Sequence, residues 1–194
     1  MKYRRNRHPA SSEFGLPPVE GYLSYQDHSY PTCFVCGPQR PGHDGLCLFP
    51  GPVDDWTLLA CPWRPAADLL DESGNVRPEI VWSALDCPGF YAATGDTLVP
   101  VLLGELTAEL RAPVPGDKPL VVFCWPLGRE GRKLCGGVAI ANQDGEVLAC
   151  SRSIWIVQRL PKFSASLAPD DVIRASPTAR QLFHDLAQSD FGSI

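Results

Sequence analysis

The stretch VRPEIVWSALDCPGFYAATG, Val76 to Gly95, carries one carboxylate deep among apolar neighbours: Asp86, flanked by Ala84, Leu85, Cys87 and Pro88. Burying a carboxylate costs free energy unless something compensates, and a low-dielectric setting raises its pKa. That combination suits a general base. The structural alternative is an acid that accepts hydrogen bonds from its neighbours and simply holds the segment in place. On either reading the turn is irregular, because Pro88 has no N–H to give the Ala84 carbonyl.

Other candidates cluster around this acid. Ser83, at i−3, shares a side with Asp86 on a continuous helix and could orient a water or the carboxylate; equally, its hydroxyl could bond back to a helix carbonyl. Glu79 lies about two turns earlier, where a paired-carboxylate site is conceivable, but a first-turn Glu more often serves the helix dipole. Cys33 and Cys36 form a lone C-x-x-C. A structural zinc would need two further ligands; Cys47, Cys61 and His43 are candidates, none forms a second tidy pair, and the expectation is no metal. Cys87 has no histidine nearby in sequence to activate it as a nucleophile, so packing is expected of it, as of Trp82, Phe90 and Tyr91. Gly136 and Gly137 interrupt a strand, marking a bulge or a place where a ligand approaches the backbone. Arg111, Lys118, Arg132 and Lys133 fall at strand ends or turns.

The elements that must position these groups follow from the pattern. From Pro78 to about Thr94 apolar residues occupy nearly every face, which predicts one buried helix with Pro78 in its first turn and Gly95 and Asp96 at its end. Short strands are expected near Leu46 to Phe49 and Trp56 to Cys61, with a turn at Asp54 and Asp55. After the helix come four long strands. In one of them Leu106, Ala108 and Leu110 alternate with Glu105, Thr107, Glu109 and Arg111. Turns at Gly128 to Gly131 and at Gln143, Asp144 and Gly145 join neighbours, so the sheet is antiparallel. The expected class is α+β, a curled antiparallel sheet wrapped around one long central helix. It occupies residues 31–160, after a basic tail and lead-in at 1–30. An extension at 161–194 carries a short amphipathic helix near Ser176.

Composition sets the bounds. The chain has 194 residues, 44% hydrophobic and 20% charged, with a net charge of −5. That is a soluble globular mix able to bury a core without staples, and its charge argues against general nucleic-acid binding. No segment reaches the ~20 apolar residues of a membrane span. No apolar stretch follows Lys2, Arg4, Arg5 and Arg7, as a signal peptide would require. The expected setting is cytoplasmic, with reduced cysteines.

Taken together, three segments resemble the hotdog-fold acyl-CoA thioesterases, in particular the phenylacetyl-CoA and 4-hydroxybenzoyl-CoA thioesterase branch. CFVCGPQRPGHDGLCL is similar to that family's Cys-Phe-x-Cys-Gly-x-x-Asn-x-x-Gly-Leu opening. VRPEIVWSALDC occupies the place of its Val-His-Gly-Gly-x-x-x-x-x-x-Asp-Ala segment without a gap. ELTAELRAPVPGDKPL resembles the strand that follows. The resemblance spans about Cys33 to Val157.

It implies hydrolysis of an acyl-CoA or acyl-carrier thioester, with Asp86 as nucleophile or base and Ser83 beside it. The site would be shared across a homodimer or a dimer of dimers. Arg111, Lys118, Arg132 and Lys133 are the candidates to hold coenzyme A phosphates, and no cofactor is implied beyond coenzyme A as part of the substrate. The family's oxyanion glycine falls on Pro78, which has no N–H, and losing one such donor costs about 10²–10³ in rate. Arg77, the Glu79 amide, Gly136 and Gly137 are the remaining candidates to meet the carbonyl or substrate chain. A non-catalytic acyl-CoA or lipid-binding protein is the alternative. Enoyl-thioester hydration ranks last: His8, His28, His43 and His184 all lie outside the helix and the strands after it.

Overall fold

A computed structural model describes residues 6–7, 20–21, 30–40, 44–53, 57–95 and 99–158. Two short strands, β1 (Asn6–Arg7) and β2 (Glu20–Gly21), pair with each other within the expected N-terminal lead-in. The helix expected near Ser176 lies outside the described residues.

Six strands form the main sheet: β3 (Gly51–Pro52), β4 (Leu59–Trp63), β5 (Val101–Leu110), β6 (Leu120–Glu130), β7 (Lys133–Ala141) and β8 (Val147–Val157). Their order is β3-β4-β6-β7-β8-β5, and every pairing is antiparallel. The four long strands after the helix are thus present as expected. The early part differs. Residues Leu46 to Phe49 are irregular, the first sheet strand is only Gly51–Pro52, and the next begins at Leu59. The hairpin at Asn142–Glu146 is as expected: Gly145 takes φ 83°, and the Asn142 side chain accepts the amides of Asp144 and Glu146. The other turn sits later than predicted, at Gly131 and Arg132. Gly128 belongs instead to a bulge in β6, where the register with β7 shifts between Pro126 and Gly128.

The single long helix is in fact two, α1 (Pro78–Ala84) and α2 (Cys87–Thr94), broken at Leu85 and Asp86. The cause is local. Pro88 cannot donate to Ala84, and the Gly89 amide bonds Asp86 O at 3.0 Å instead of continuing the ladder to Leu85. α2 lies on β6, β7 and β8. Its Tyr91, with Leu85, Val81, Val122, Val138 and Ile140, is fully buried at the centre of the core, each such side chain contributing about 1.5–3 kcal/mol. Close approach is possible because glycine faces glycine: a Cβ on Gly136 would run into the Gly89 backbone, and one on Gly89 into the Ser153 hydroxyl. The opposite face of the sheet carries a smaller cluster in which Phe123 and Trp125 stack, with Ala139 and Cys150 beneath.

Candidate active site at the helix break

Asp86 is the N-cap residue of α2, yet its side chain makes no capping bond. An N-cap acid ordinarily accepts the amide of N2 or N3. Here N2 is Pro88, which has none, and the N3 amide of Gly89 is already taken by Asp86's own carbonyl. The carboxylate is left over as a result: Oδ1 is buried and is the one such side-chain atom without a partner among the described residues. Burial, and secondarily the negative charge of Cys33, push its pKa up to about 6.

The thiols of Cys33, Cys36 and Cys87 meet beside this acid, all within 4.8 Å of one another, with Cys33 Sγ 3.5 Å from Cys87 Sγ. Hydrogen bonds from the Cys36 and then the Cys87 thiol hold Cys33 far below an ordinary thiol, while Cys36 and Cys87 are pushed up. Tyr91 Oη donates to Cys36 Sγ at 3.2 Å. The loop that delivers Cys33 and Cys36 is pinned from several sides. Gly37 N bonds Cys33 O, Leu46 N bonds Phe34 O and Leu48 N bonds Val35 O. Arg40 grips Asp44 through two bonds of 2.7 and 2.9 Å and reaches Thr32 O. Sequence spacing paired Cys33 and Cys36 but not Cys87, which is 54 residues from Cys33. The available signal was local: Cys87 and Tyr91 stand at i and i+4, one face of α2. Cys47 and Cys61, proposed above as partners for the pair, do not join the cluster.

The remaining candidates divide. Ser83 Oγ donates to Glu79 O at 2.8 Å, the back-bonded arrangement. The break before Asp86 also removes the shared helical face that linked the two. Glu79 is exposed and paired with Arg77 at 2.8 Å, so it forms no carboxylate pair with half-buried Asp86. Its carboxylate also accepts its own amide, and Arg77 is further engaged with Asp68 O. The helix start thus offers no idle backbone N–H at Arg77, Pro78 or Glu79. Gly136 and Gly137 make room for protein and not for a ligand: the first faces the Gly89 backbone, the second the Trp125 ring.

The four cations do not gather. Arg111 follows β5 and Lys118 precedes β6 at one end of the sheet, whereas Arg132 and Lys133 sit at the β6–β7 turn at the other. The nine residues of β7 separate the two ends, about 27 Å at ~3.3 Å per residue. Arg111, which bonds Glu109 Oε2, lines a cavity of about 390 Å³ with Pro78, Val76, Val81, Leu110 and Val114. Asp86 does not line it.

No family model matches the sequence, and no curated protein does. Solved structures do match. A thioesterase superfamily protein, RHA08564, superposes with a TM-score of 0.56 at 18% identity, over 64% of this chain and 60% of that one; this chain therefore spans less than two thirds of that protein's length. The zebra fish thioesterase superfamily member 2 gives 0.54 at 11% identity, over 62% and 89%. The PaaI protein of the E. coli phenylacetic acid degradation operon gives 0.52 at 14%, over 58% and 80%. At these identities the likeness is one of fold, and the fold is the hotdog fold.

Proposed function

We propose that the protein hydrolyses an acyl thioester of the coenzyme A class, with Asp86 as the base that activates the attacking water. The water oxygen adds to the carbonyl carbon as Asp86 takes its proton. The C–S bond then breaks, the sulfur leaves as a thiol after protonation, and a carboxylic acid remains. The observation that carries this reading is the buried, unpartnered Asp86 oxygen at a break that the sequence builds with Pro88. A fold in which a sheet wraps such a helix, and the likeness of the sequence segments to the acyl-CoA thioesterases, support the substrate class.

α1 runs from Pro78 to Ala84, about 10 Å at 1.5 Å per residue, and Asp86 lies past its end and outside the cavity at its start. One protomer therefore cannot set both the acid and its own helix start, with the Arg111 cavity, on one carbonyl. A homodimer that apposes the acid of one copy with the cavity of the other resolves this, so we assign the active unit as a dimer.

One observation favours a second reading, binding of an acyl thioester without turnover: no backbone N–H of Arg77, Pro78 or Glu79 is idle at the helix start. A panel of acyl-CoA esters with a thiol-reactive dye, run on wild type and Asp86→Asn, separates the two. Turnover that drops at least ~10²-fold in the variant supports hydrolysis. Calorimetric binding with no turnover in either protein supports the binder, and undiminished turnover in Asp86→Asn removes the acid from the mechanism.

A further inference from the structure

We propose that Cys33, Cys36 and Cys87 hold a thiophilic divalent cation of the zinc class, with the Asp86 carboxylate as its fourth ligand. The three-thiol site does not need the hydrolysis reading, although it draws on the same carboxylate.

The geometry is that of a metal cage before the metal. Sulfurs bound to one zinc at about 2.3 Å in a tetrahedron stand roughly 3.8 Å apart. The three sulfurs here are all within 4.8 Å, with the Cys33–Cys87 pair at 3.5 Å, so only a small adjustment is needed to close on an ion. Thiols packed merely as apolar groups have no reason to converge sulfur to sulfur, and the other five cysteines of the chain do not join them.

The loop is also shaped to deliver thiolate. The amides of Val35 and Cys36 both bond the Cys33 sulfur, a turn of consecutive N–H groups aimed at an anion. Gly37 completes the turn, because a Cβ there would collide with the Cys33 backbone. Tyr91 Oη donates to Cys36 Sγ, the kind of outer contact that orients a metal ligand. Asp86, adjacent to Cys87 in the chain and holding a buried oxygen with no partner, stands outside the three-sulfur cluster and would have to swing its carboxylate in to take the fourth corner. A cation held by three thiolates and the carboxylate would satisfy that oxygen, and ligation would release the remaining thiol protons to solvent. The same carboxylate cannot serve a metal and a water at once, so the loaded form would be the less active hydrolase.

The test uses the full chain, reduced, stripped with a chelator and titrated with Co²⁺ and then Zn²⁺. One equivalent of Co²⁺ should raise thiolate-to-cobalt charge-transfer absorption, which Zn²⁺ bleaches. Cys33→Ser and Cys87→Ser should lose the band, and Cys47→Ser should keep it. Asp86→Asn should shift the visible cobalt bands and weaken binding at least about tenfold. Because a buried cysteine variant can fail to fold, the wild type supplies a second readout: Zn²⁺ should protect Cys33, Cys36 and Cys87 from alkylation, read by mass spectrometry. No charge-transfer band in reduced wild type, or no protection of these three, overturns the site. A cobalt spectrum unchanged in Asp86→Asn overturns the carboxylate's part in it. Hydrolysis is scored separately, so loss of turnover in Asp86→Asn without any metal binding sinks this inference and leaves the hydrolase standing.

Discussion

The Ser151 hydroxyl donates to the Leu85 carbonyl at 2.9 Å and so ties the helix break to the middle of β8. Leu85 O would ordinarily receive the amide of Gly89, which has gone to Asp86. The sheet thus satisfies an acceptor that the break creates, and in doing so fixes where Asp86 stands. Ser151→Ala leaves that buried carbonyl unpaired, a cost of about 1–3 kcal/mol. We expect a lower urea midpoint and, if Asp86 is the base, a kcat about tenfold down with KM little changed. A variant with wild-type stability and turnover would show that the break holds itself.

Gly136 and Gly137 are adjacent but face opposite sides of the sheet. A Cβ on Gly136 meets the Gly89 backbone, which cannot yield without lifting α2, so Gly136→Ala should cost about 1–3 kcal/mol. A Cβ on Gly137 meets the Trp125 side chain on the other face, a side chain and not a backbone, so Gly137→Ala should cost less. Thermal melts of the two variants check the order. If these glycines instead served a substrate chain, Gly136→Ala would raise KM and leave the melt untouched.

Much of this was legible in the sequence because it rests on periodicity and on single residues with one strong physical property. The long strands announce themselves by alternation, the Asp144–Gly145 turn by its composition, and Asp86 by being charged where nothing else is. The break was half visible: Pro88 predicts an irregular turn, but an apolar stretch on every face still reads as one helix, and only the detour of the Gly89 amide divides it. What pattern cannot show is which distant groups meet. Cys87 joins Cys33 through the packing of a loop against a helix, and Ser151 finds Leu85 across the sheet. The four cations lie at two ends of the sheet within one protomer, a separation hidden for the same reason, since strand-end positions look alike in sequence whichever end of the sheet they occupy.

If the active unit is the dimer proposed above, the β5 edge is the place for the second copy. β5 pairs with β8 on one side, and no strand pairs its other side among the described residues. Leu102 is 56% exposed and Leu103 40%. A ten-residue strand with free backbone groups and apolar side chains invites pairing with another chain. We expect sedimentation to report a dimer and Leu102→Glu to shift it toward monomer, with kcat/KM falling in step with the dimer fraction. A wild-type monomer with full activity would break the link between the shared site and turnover.

Asp86 should cost the fold stability that it returns as chemistry, and the cost has a definite pH signature. In the metal-stripped protein its pKa is raised from 3.8 to about 6 by burial, so the folded state binds its proton more tightly than the unfolded state does. The sign follows from that difference: stability attributable to this group falls as pH rises between about 4 and 6 and stays low above. Asn carries no charge to desolvate, so Asp86→Asn should be the more stable protein at pH 7.5, by on the order of 1 kcal/mol. The gap should close below pH 4, where the acid is protonated in both states. Urea melts of chelated wild type and variant at pH 3.5, 5 and 7.5 make the comparison. A variant less stable than wild type at pH 7.5 would mean that the carboxylate has a favourable partner in the folded protein, and it would then be a structural acid and not a base held in reserve.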